Sequence, residues 1–493
     1  MRRSALAALV ATVAGASSAG ALSPLAEEAA LAAWTPQLPA AGYCVPAPDD
    51  GALVPRGVGA GGAVPSGAGA RPVAVLDTGV DGAVPQLAGR VLPALDALTG
   101  APVSGDFDGH GTEAAGLAAS AGPGMTGVAP GLGVLPIRIY DPATRTSSAA
   151  AVAKGIALAV AHGAGVVVVE GSAPAGGATD DERRLLSSAV DAAFARGVLV
   201  VAGAGDDTAD ATAPALPASL PHVLVAGAAT GTPARSAPTD VGPWLDLLVP
   251  GEGVTAPLPG ALCANGYGFS SGTSFAAPAL GAAAAIVQNA RKSLTTQQLF
   301  EVLRRAGTDL GVGGRDDDTG FGLLSLPAAL SRPPLAKETS VEPDDDPYWV
   351  RAKTYVKAHP ALLTRTKLRF KAKGSVSPAK DPADVYRVSL SKRERVVVSV
   401  SAADPNALLE LSVLDPRVGD FDVTDDVTDY ALVATGGFSN DPGVEWTATR
   451  SGTYYIAVSA ADAVDPNDPS ALAPDLEPYT LSAYKQRPKK AKR

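Results

Sequence analysis

The chain has 493 residues, which is too long for one ordinary hydrophobic core and indicates two or three domains. Hydrophobic residues make up 46% of it and charged residues only 18%, which excludes an intrinsically disordered chain. The net charge is −10 and the only compact basic run is the terminal KQRPKKAKR, so nucleic acid is not expected as the main partner.

The N-terminus MRRSALAALVATVAGASSAGA combines two arginines, an apolar stretch and small residues that end at Ala21. This pattern is typical of a secretory signal peptide, so we expect residues 1–21 to be removed and the mature protein to be secreted. The alternative is an Ala-rich helix of the folded domain. The next longest apolar run, 275–287, is short and contains Pro278, so we expect no transmembrane anchor.

From residue 71 to residue 331, short β-branched runs alternate with Ala-rich stretches. The Ala-rich stretches 147–164 and 181–197 have the pattern of helices. The alternation predicts an α/β domain with a doubly wound, mostly parallel sheet. Buried parallel strands are predicted at 73–76, 134–140, 165–169, 198–202 and 222–228.

The remaining segments differ from this domain in composition and in hydrophobic pattern. Residues 22–70 are rich in Ala, Gly and Pro, and the Pro and acid clusters of 332–349 indicate a linker. Residues 350–485 contain short alternating runs between turn residues, which predicts a small antiparallel β-sandwich, and 486–493 form a basic tail. The runs are 385–390, 395–401, 408–415, 444–449, 453–459 and 478–484.

Three polar side chains stand at places where a doubly wound sheet would bring them together. Asp77 ends the strand VAVLD, His110 lies between glycines just before an Ala-rich helix, and Ser274 opens an apolar helix in SSGTSFAAP. Backbone N–H groups at a helix N-terminus favour a developing oxyanion. Each signal alone is weak, but together they match an orienting carboxylate, a base and a nucleophile.

The segments VAVLDTGVD, DGHGTEAAG and GTSFAAP resemble the signature blocks of the subtilisin-like serine proteases, the subtilases or peptidase S8 family, and the likeness covers nearly all of 71–331. The resemblance implies a serine endopeptidase that acts on protein or peptide substrates. Asp77 would stabilise the imidazolium of His110, His110 would take the serine proton, and Ser274 would attack the scissile carbonyl. The chemistry needs no cofactor and no metal in the site, while structural calcium is compatible with the family.

The C-terminal runs GSVSPAKDPADVYRVSL, GTYYIAVSA and PYTLSAY resemble the bacterial pre-peptidase C-terminal domain, a β-sandwich appended to many secreted proteases. A group of acids within it is either a calcium site or, as we favour, a solvated loop. These acids are Asp420, Asp422, Asp425, Asp426 and Asp429. The segment 22–70 is short for the folded inhibitory propeptide of the family, and wrapping around the domain is the alternative. An exported chain also allows a disulfide between its two cysteines, Cys44 and Cys263.

The strand LVVAGAGDDT departs from the family. In subtilases it ends with an Asn whose amide donates to the oxyanion, and the matching residue here is Asp206. The loss of one such donor costs about 3–4 kcal/mol of transition-state stabilisation, and an ionised carboxylate would add repulsion. Full activity therefore requires that desolvation keeps Asp206 protonated, so that it donates.

A second departure is VVVVEGSAPAGG, which replaces the Ser-Leu-Gly type segment that pairs with the substrate backbone. Glu170, Gly171, Ser172 and Gly205 are the predicted substrate-binding residues. Glu170 either favours basic residues near the cleavage site or is a solvated charge. Asp206 and Glu170 also support a second hypothesis, a catalytically silent subtilase homologue that binds peptides or proteins.

Overall fold

The computed structural model describes residues 43–45, 70–122, 124–171, 173–174, 179–206, 215–310, 314–334, 361–377, 380, 383–404, 409–414, 432–460 and 477–486. The predicted signal peptide, most of 22–70 and of the linker, the tail after Gln486 and the acids from Asp420 to Asp429 lie outside these residues. The chain divides into two units, Met1–Leu335 and Ala336–Arg493.

The first unit contains helices and mostly short strands. Its helices are α1 (His110–Ala119), α2 (Ala149–Ala161), α3 (Asp180–Phe194), α4 (Thr273–Ala290), α5 (Thr296–Arg304) and α6 (Leu326–Ser331), with a 3₁₀ turn at Pro85–Leu87. Its strands are β1 (Tyr43–Cys44), β2 (Val73–Asp77), β3 (Gly79–Val80), β4 (Ala94–Asp96), β5 (Pro102–Val103), β6 (Gly105–Asp106), β7 (Ala121–Gly122), β8 (Met125–Thr126), β9 (Val134–Arg138), β10 (Val166–Val169), β11 (Ala173–Pro174), β12 (Leu199–Gly203), β13 (Ala215–Leu216), β14 (Val223–Ala229), β15 (Leu247–Pro250), β16 (Val254–Pro257), β17 (Tyr267–Ser270), β18 (Gly307–Thr308) and β19 (Leu323–Leu324).

Ten of these strands form the central sheet, in the order β18-β19-β15-β14-β12-β10-β2-β9-β4-β5. The pairs from β19 to β4 are parallel, and only the two edge pairs, β18 with β19 and β4 with β5, are antiparallel. The five predicted strands are confirmed as β2, β9, β10, β12 and β14, and the predicted helices as α2 and α3. The α/β fold with a mostly parallel sheet is therefore confirmed.

Side chains of each central strand alternate between two cores. In β2, Val73 and Val75 pack with α1 and α4, whereas Ala74 and Leu76 pack with α2 and α3. Since strand side chains point alternately to opposite faces, a run that is apolar at every position is buried on both faces. Helices thus cover the sheet on both sides.

Helix α4 is buried along nearly its whole length and consists largely of alanine. It contacts α1 and the strands β10, β12, β14 and β15. A Cβ atom added at Gly281 would lie 2.4 Å from Cγ2 of Val168, so the helix packs too closely on the sheet for a larger side chain at this position. This packing holds the N-terminus of α4 rigidly against the sheet.

The N-terminal segment is attached to the domain through β1, which pairs antiparallel with β17 in a three-stranded sheet with β16. A disulfide joins Cys44 of β1 to Cys263, with a Cα–Cα distance of 5.6 Å. Residues 43–45 thus lie along the domain, as expected if the segment wraps around it.

Replacement of both cysteines by serine is expected to lower Tm. The disulfide links residues 219 positions apart, and cross-links of long loops typically stabilise a fold by about 2–4 kcal/mol. Thermal unfolding of wild type and Cys44→Ser/Cys263→Ser, each with and without a reductant, measures the effect. Reductant should lower the Tm of wild type alone, and identical melting of oxidised and reduced wild type would contradict the prediction.

The described residues of the second unit form eight strands in two four-stranded antiparallel sheets, ordered β20-β27-β22-β25 and β21-β26-β23-β24. The strands are β20 (Arg369–Val376), β21 (Ala383–Leu390), β22 (Arg395–Ala402), β23 (Leu409–Leu414), β24 (Leu432–Ser439), β25 (Gly443–Thr447), β26 (Gly452–Ala460) and β27 (Glu477–Gln486). Both sheets contribute side chains to one core, so the predicted antiparallel fold is confirmed here. Across the described parts of both units, no helix is long and apolar enough to cross a membrane.

Candidate active site

The sheet order reverses beside β2, where the chain first adds β9 on one side and then β10 on the other. Ligands of open α/β sheets bind beyond the carboxyl ends of the strands at such a switch point. Asp77 ends β2, Glu170 directly follows β10, and Asp206 lies shortly after β12. Helices α1 and α4 begin at the same edge, which adds His110 and Ser274.

Asp77 and His110 form a buried pair, in which Oδ2 of Asp77 lies 2.8 Å from Nδ1 of His110. Oδ1 of Asp77 accepts a hydrogen bond from the Thr78 backbone N–H at 2.6 Å. A Cβ atom added at Gly111 would lie 2.0 Å from the carbonyl oxygen of Gly79, so α1 can begin this close to β2 only with glycine at that position. The carboxylate thus orients the imidazole, with Nδ1–H directed at Asp77.

The charges around His110 favour its imidazolium form. Burial lowers the pKa of His110, but the charge and hydrogen bond of Asp77, with the charges of Glu170 and Glu113, outweigh burial and raise the pKa to about 10. Nε2 of His110 is buried and has no hydrogen-bond partner among the residues that the structure describes.

Ser274 is the second residue of α4 and is partly buried. The ring of the next residue, Phe275, lies 5.3 Å from the imidazole ring of His110, measured between ring centroids. The structure thus brings the three predicted catalytic residues to one edge of the sheet, where Nε2 of His110 has no hydrogen-bond partner among the described residues.

Asp206 is exposed and binds the N-terminus of α4. The backbone N–H of Thr273 lies 3.0 Å from both carboxylate oxygens of Asp206, and the Thr273 hydroxyl donates to Oδ2 at 3.1 Å. Hydrogen bonds to a carboxylate and a helix N-terminus both favour the ionised form. In this arrangement Asp206 accepts hydrogen bonds. Because its side chain is exposed, it lacks the desolvation that would keep it protonated and able to donate.

The predicted substrate-binding residues lie on the same edge. Glu170 is only 3% exposed, so its interpretation as a solvated charge is wrong. A Cβ atom added at Gly171 would lie 2.9 Å from the Tyr140 hydroxyl, and one at Gly205 would lie 2.2 Å from Oδ2 of Asp240. Ser172 lies outside the described residues.

Glu113 was not predicted from the sequence. It lies in the first turn of α1, is 2% exposed and accepts a hydrogen bond from the Ser270 hydroxyl at 2.8 Å. Burial raises the pKa of Glu113 to about 7, and its charge acts on His110. The available signal in the sequence was that the Gly/Ala-rich stretch HGTEAAG contains a single acid.

In the described ranges, no cluster of three or more His, Cys, Asp or Glu side chains is arranged to hold a metal ion. A serine at a helix N-terminus, at the same sheet edge as an imidazole bound to a buried carboxylate, is the arrangement of a serine hydrolase.

Comparison with known proteins identifies the family of this serine hydrolase fold. The profile of Peptidase_S8, the subtilase family, matches residues 70–322, just over half of the chain, and the chain belongs to this family. It is 31% identical to subtilisin Savinase of Lederbergia lenta over 259 residues, which are 52% of this chain and 89% of that protein. Subtilases are serine proteases and need no cofactor for catalysis.

Other relatives are longer than the matched region. Alkaline elastase YaB of Bacillus sp. (strain YaB) is 32% identical over 54% of this chain and 65% of its own length. Fervidolysin of Fervidobacterium pennivorans is 34% identical over 53% of this chain and 40% of its own length. A crystal structure of a lanthipeptide protease is similar with 25% identity and a TM-score of 0.47, covering 53% of this chain and 86% of that one. The chain thus spans less than two thirds of the first two relatives.

Proposed function

We propose that the protein is an exported serine endopeptidase that cleaves peptide bonds through an acyl-enzyme on Ser274. The observation that carries the proposal is the buried pair of Asp77 and His110, joined at 2.8 Å beside the N-terminus of α4. Membership of the subtilase family and the resemblance of the N-terminus to a signal peptide support the activity and the export respectively.

In the proposed reaction, Ser274 attacks the scissile carbonyl and the carbonyl oxygen becomes an oxyanion. The backbone N–H groups and the dipole at the start of α4 stabilise that charge. His110, held by Asp77, exchanges protons with the reacting groups and protonates the leaving amine. Glu170, Gly171, Ser172 and Gly205 line the substrate, which is a protein or a peptide.

A second candidate is a catalytically silent homologue that binds peptides or proteins. It is favoured by Asp206, which accepts hydrogen bonds from Thr273 at the place where the family has an oxyanion donor. The appended unit, whose sequence resembles the pre-peptidase C-terminal domain, would then serve in binding alongside the first unit.

The two candidates are separated by labelling with a fluorophosphonate probe from pH 5 to pH 9, with Ser274→Ala as the control. The probe needs an activated serine but little substrate fit, so it distinguishes inactivity from unknown specificity. We expect labelling of wild type that vanishes in Ser274→Ala. A folded wild-type protein that stays unlabelled at every pH would support the silent homologue.

A further inference from the structure

A buried hydrogen bond joins the helix that begins with His110 to the strand that leads into α4. Glu113 lies in the first turn of α1, three residues after His110, and Ser270 ends β17, four residues before Ser274. Oε1 of Glu113 accepts a hydrogen bond from the Ser270 hydroxyl at 2.8 Å. Because Glu113 is only 2% exposed, loss of this bond would leave a buried polar group without its partner.

The hydrogen bond lies in a closely packed part of the domain. A Cβ atom added at Gly268, two residues before Ser270, would lie 2.6 Å from Oε1 of Glu113. The carboxyl group therefore reaches β17 across a residue that has no side chain, and a larger residue there would displace it. Helix α1 also packs against α4. The first turn of α1 is thus fixed close to the chain segment that carries Ser274.

We propose that Glu113 is a positioning residue, whose bond to Ser270 fixes the start of α1 against the end of β17 and whose negative charge stabilises the imidazolium of His110. Residues three apart lie on the same side of a helix, so the Glu113 carboxyl group is a neighbour of His110. The proposal rests on the proposed function and adds to it, since the roles of the three catalytic residues stay as stated there.

The charges that face Glu113 lie on α1, β2 and β6. Burial raises the pKa of Glu113 to about 7, the hydrogen bond of Ser270 and the charge of His110 oppose this, and the charges of Asp77 and Asp106 add to it. In return, the charge of Glu113 raises the pKa of His110. An imidazolium that forms during the reaction is therefore more stable when Glu113 has lost its proton.

Four substitutions separate the hydrogen bond from the charge. Glu113→Gln keeps an oxygen for the Ser270 hydroxyl but removes the charge, whereas Ser270→Ala removes the bond and keeps the charge. Glu113→Asp also keeps the charge, but it withdraws the carboxylate by one methylene and should behave like Ser270→Ala. Ser270→Thr retains the hydroxyl and should behave like wild type.

The test is the rate of fluorophosphonate labelling of Ser274 from pH 5 to pH 11. Ser270→Ala and Glu113→Asp should label about 10- to 100-fold more slowly than wild type, since misplacement of a catalytic group by about 1 Å costs about 100-fold. Ser270→Thr should restore the rate. Wild-type rates in both Ser270→Ala and Glu113→Asp would overturn the positioning role.

Glu113→Gln tests the charge through the pH profile. Labelling needs His110 without its proton, so the rate rises as pH passes the pKa of His110. The charge of Glu113 raises that pKa, and its removal lowers it. The rise should therefore occur at lower pH in Glu113→Gln than in wild type, whereas Ser270→Ala should not move it to lower pH. An unmoved profile in Glu113→Gln would overturn the role of the charge.

Asp191→Ala is the matched control for loss of a buried hydrogen bond. Asp191 is an acid on α3, is 8% exposed, and its Oδ1 lies 3.0 Å from Nδ1 of His222. His222 directly precedes β14, so this pair lies at the amino ends of the strands, opposite the candidate site. We expect Asp191→Ala to lower Tm and to label like wild type. If it slows labelling as much as Ser270→Ala does, loss of stability explains both and the positioning role is overturned.

Failure of this inference is distinguishable from failure of the proposed function. Wild type that labels, with no response to the Glu113 and Ser270 variants, would refute the inference and leave the proposed function standing. A folded wild-type protein that is not labelled at any pH would overturn both. If Ser270→Ala does not fold, Glu113→Asp tests the same bond from its other side.

Discussion

Replacement of Asp77 by Asn lowers kcat about ten-thousand-fold, as expected when the orienting carboxylate of a serine protease is lost. An amide presents N–H instead of oxygen to Nδ1 of His110, which reverses the tautomer of the ring. Loss of the Asp77 charge and hydrogen bond also lowers the pKa of His110, since both raise it in wild type. His110 then no longer directs Nε2 correctly at the reacting groups.

The measurement is kcat on a peptide substrate, with Asp96→Asn as the matched control. Asp96 ends β4, which is separated from β2 by β9, is buried like Asp77 and forms an ion pair with Arg138. Its replacement should affect Tm more than kcat. Near-normal kcat in a folded Asp77→Asn protein would show that the pair with His110 has no role in turnover.

Replacement of Asp206 by Asn is expected to raise kcat about 100- to 1,000-fold, the range that one oxyanion donor contributes. The amide oxygen of Asn can keep the hydrogen bond from Thr273, while its N–H group becomes available to the oxyanion. The substitution also removes a negative charge that would repel the oxyanion. The gain should be similar at pH 6 and pH 8, because Asp206 is exposed and accepts hydrogen bonds that favour its ionised form.

Asp206→Ala separates the effect of removing the negative charge from the effect of adding an N–H donor, since it removes the charge without adding a donor. Its kcat should lie between those of wild type and Asp206→Asn. A gain for Asp206→Asn that is much larger at pH 8 than at pH 6 would instead show that wild-type Asp206 donates when protonated. A loss of activity in Asp206→Asn at both pH values would contradict both mechanisms.

Five of the parallel strands were predicted because they are apolar at nearly every position, as in VVVV of β10, whereas β4, β15 and β19 of the same sheet were not. Two strands of the second unit were missed for physical reasons. In β20, RFKAKGSV exposes its lysines and buries small residues between them, so the alternation of hydrophobicity is weak. In β24, LVATGGFS contains adjacent glycines, which resemble a turn. Pairing within a sheet overrides such local preferences.

The residue types of the candidate site were predictable because their motifs place them at strand and helix ends. The hydrogen-bond partners of these residues could not be predicted from the sequence. The sequence left open whether Glu170 is solvated, and only the fold shows that it is buried after β10. Likewise, the sequence identifies Asp206 as the residue at the donor position, whereas the exposed contact with Thr273 depends on where α4 begins.

Helix α4, which carries Ser274, is buried between α1 and four strands of the sheet. Backbone amides of such an element are released for hydrogen exchange only when the whole core opens, because local opening would expose nearly all of its apolar surface. Fraying of short edge strands such as β5 and β18 leaves the nucleophile in place. Ser274 is therefore attached to the last part of the domain to lose its structure, and the candidate site persists through partial unfolding that releases the periphery.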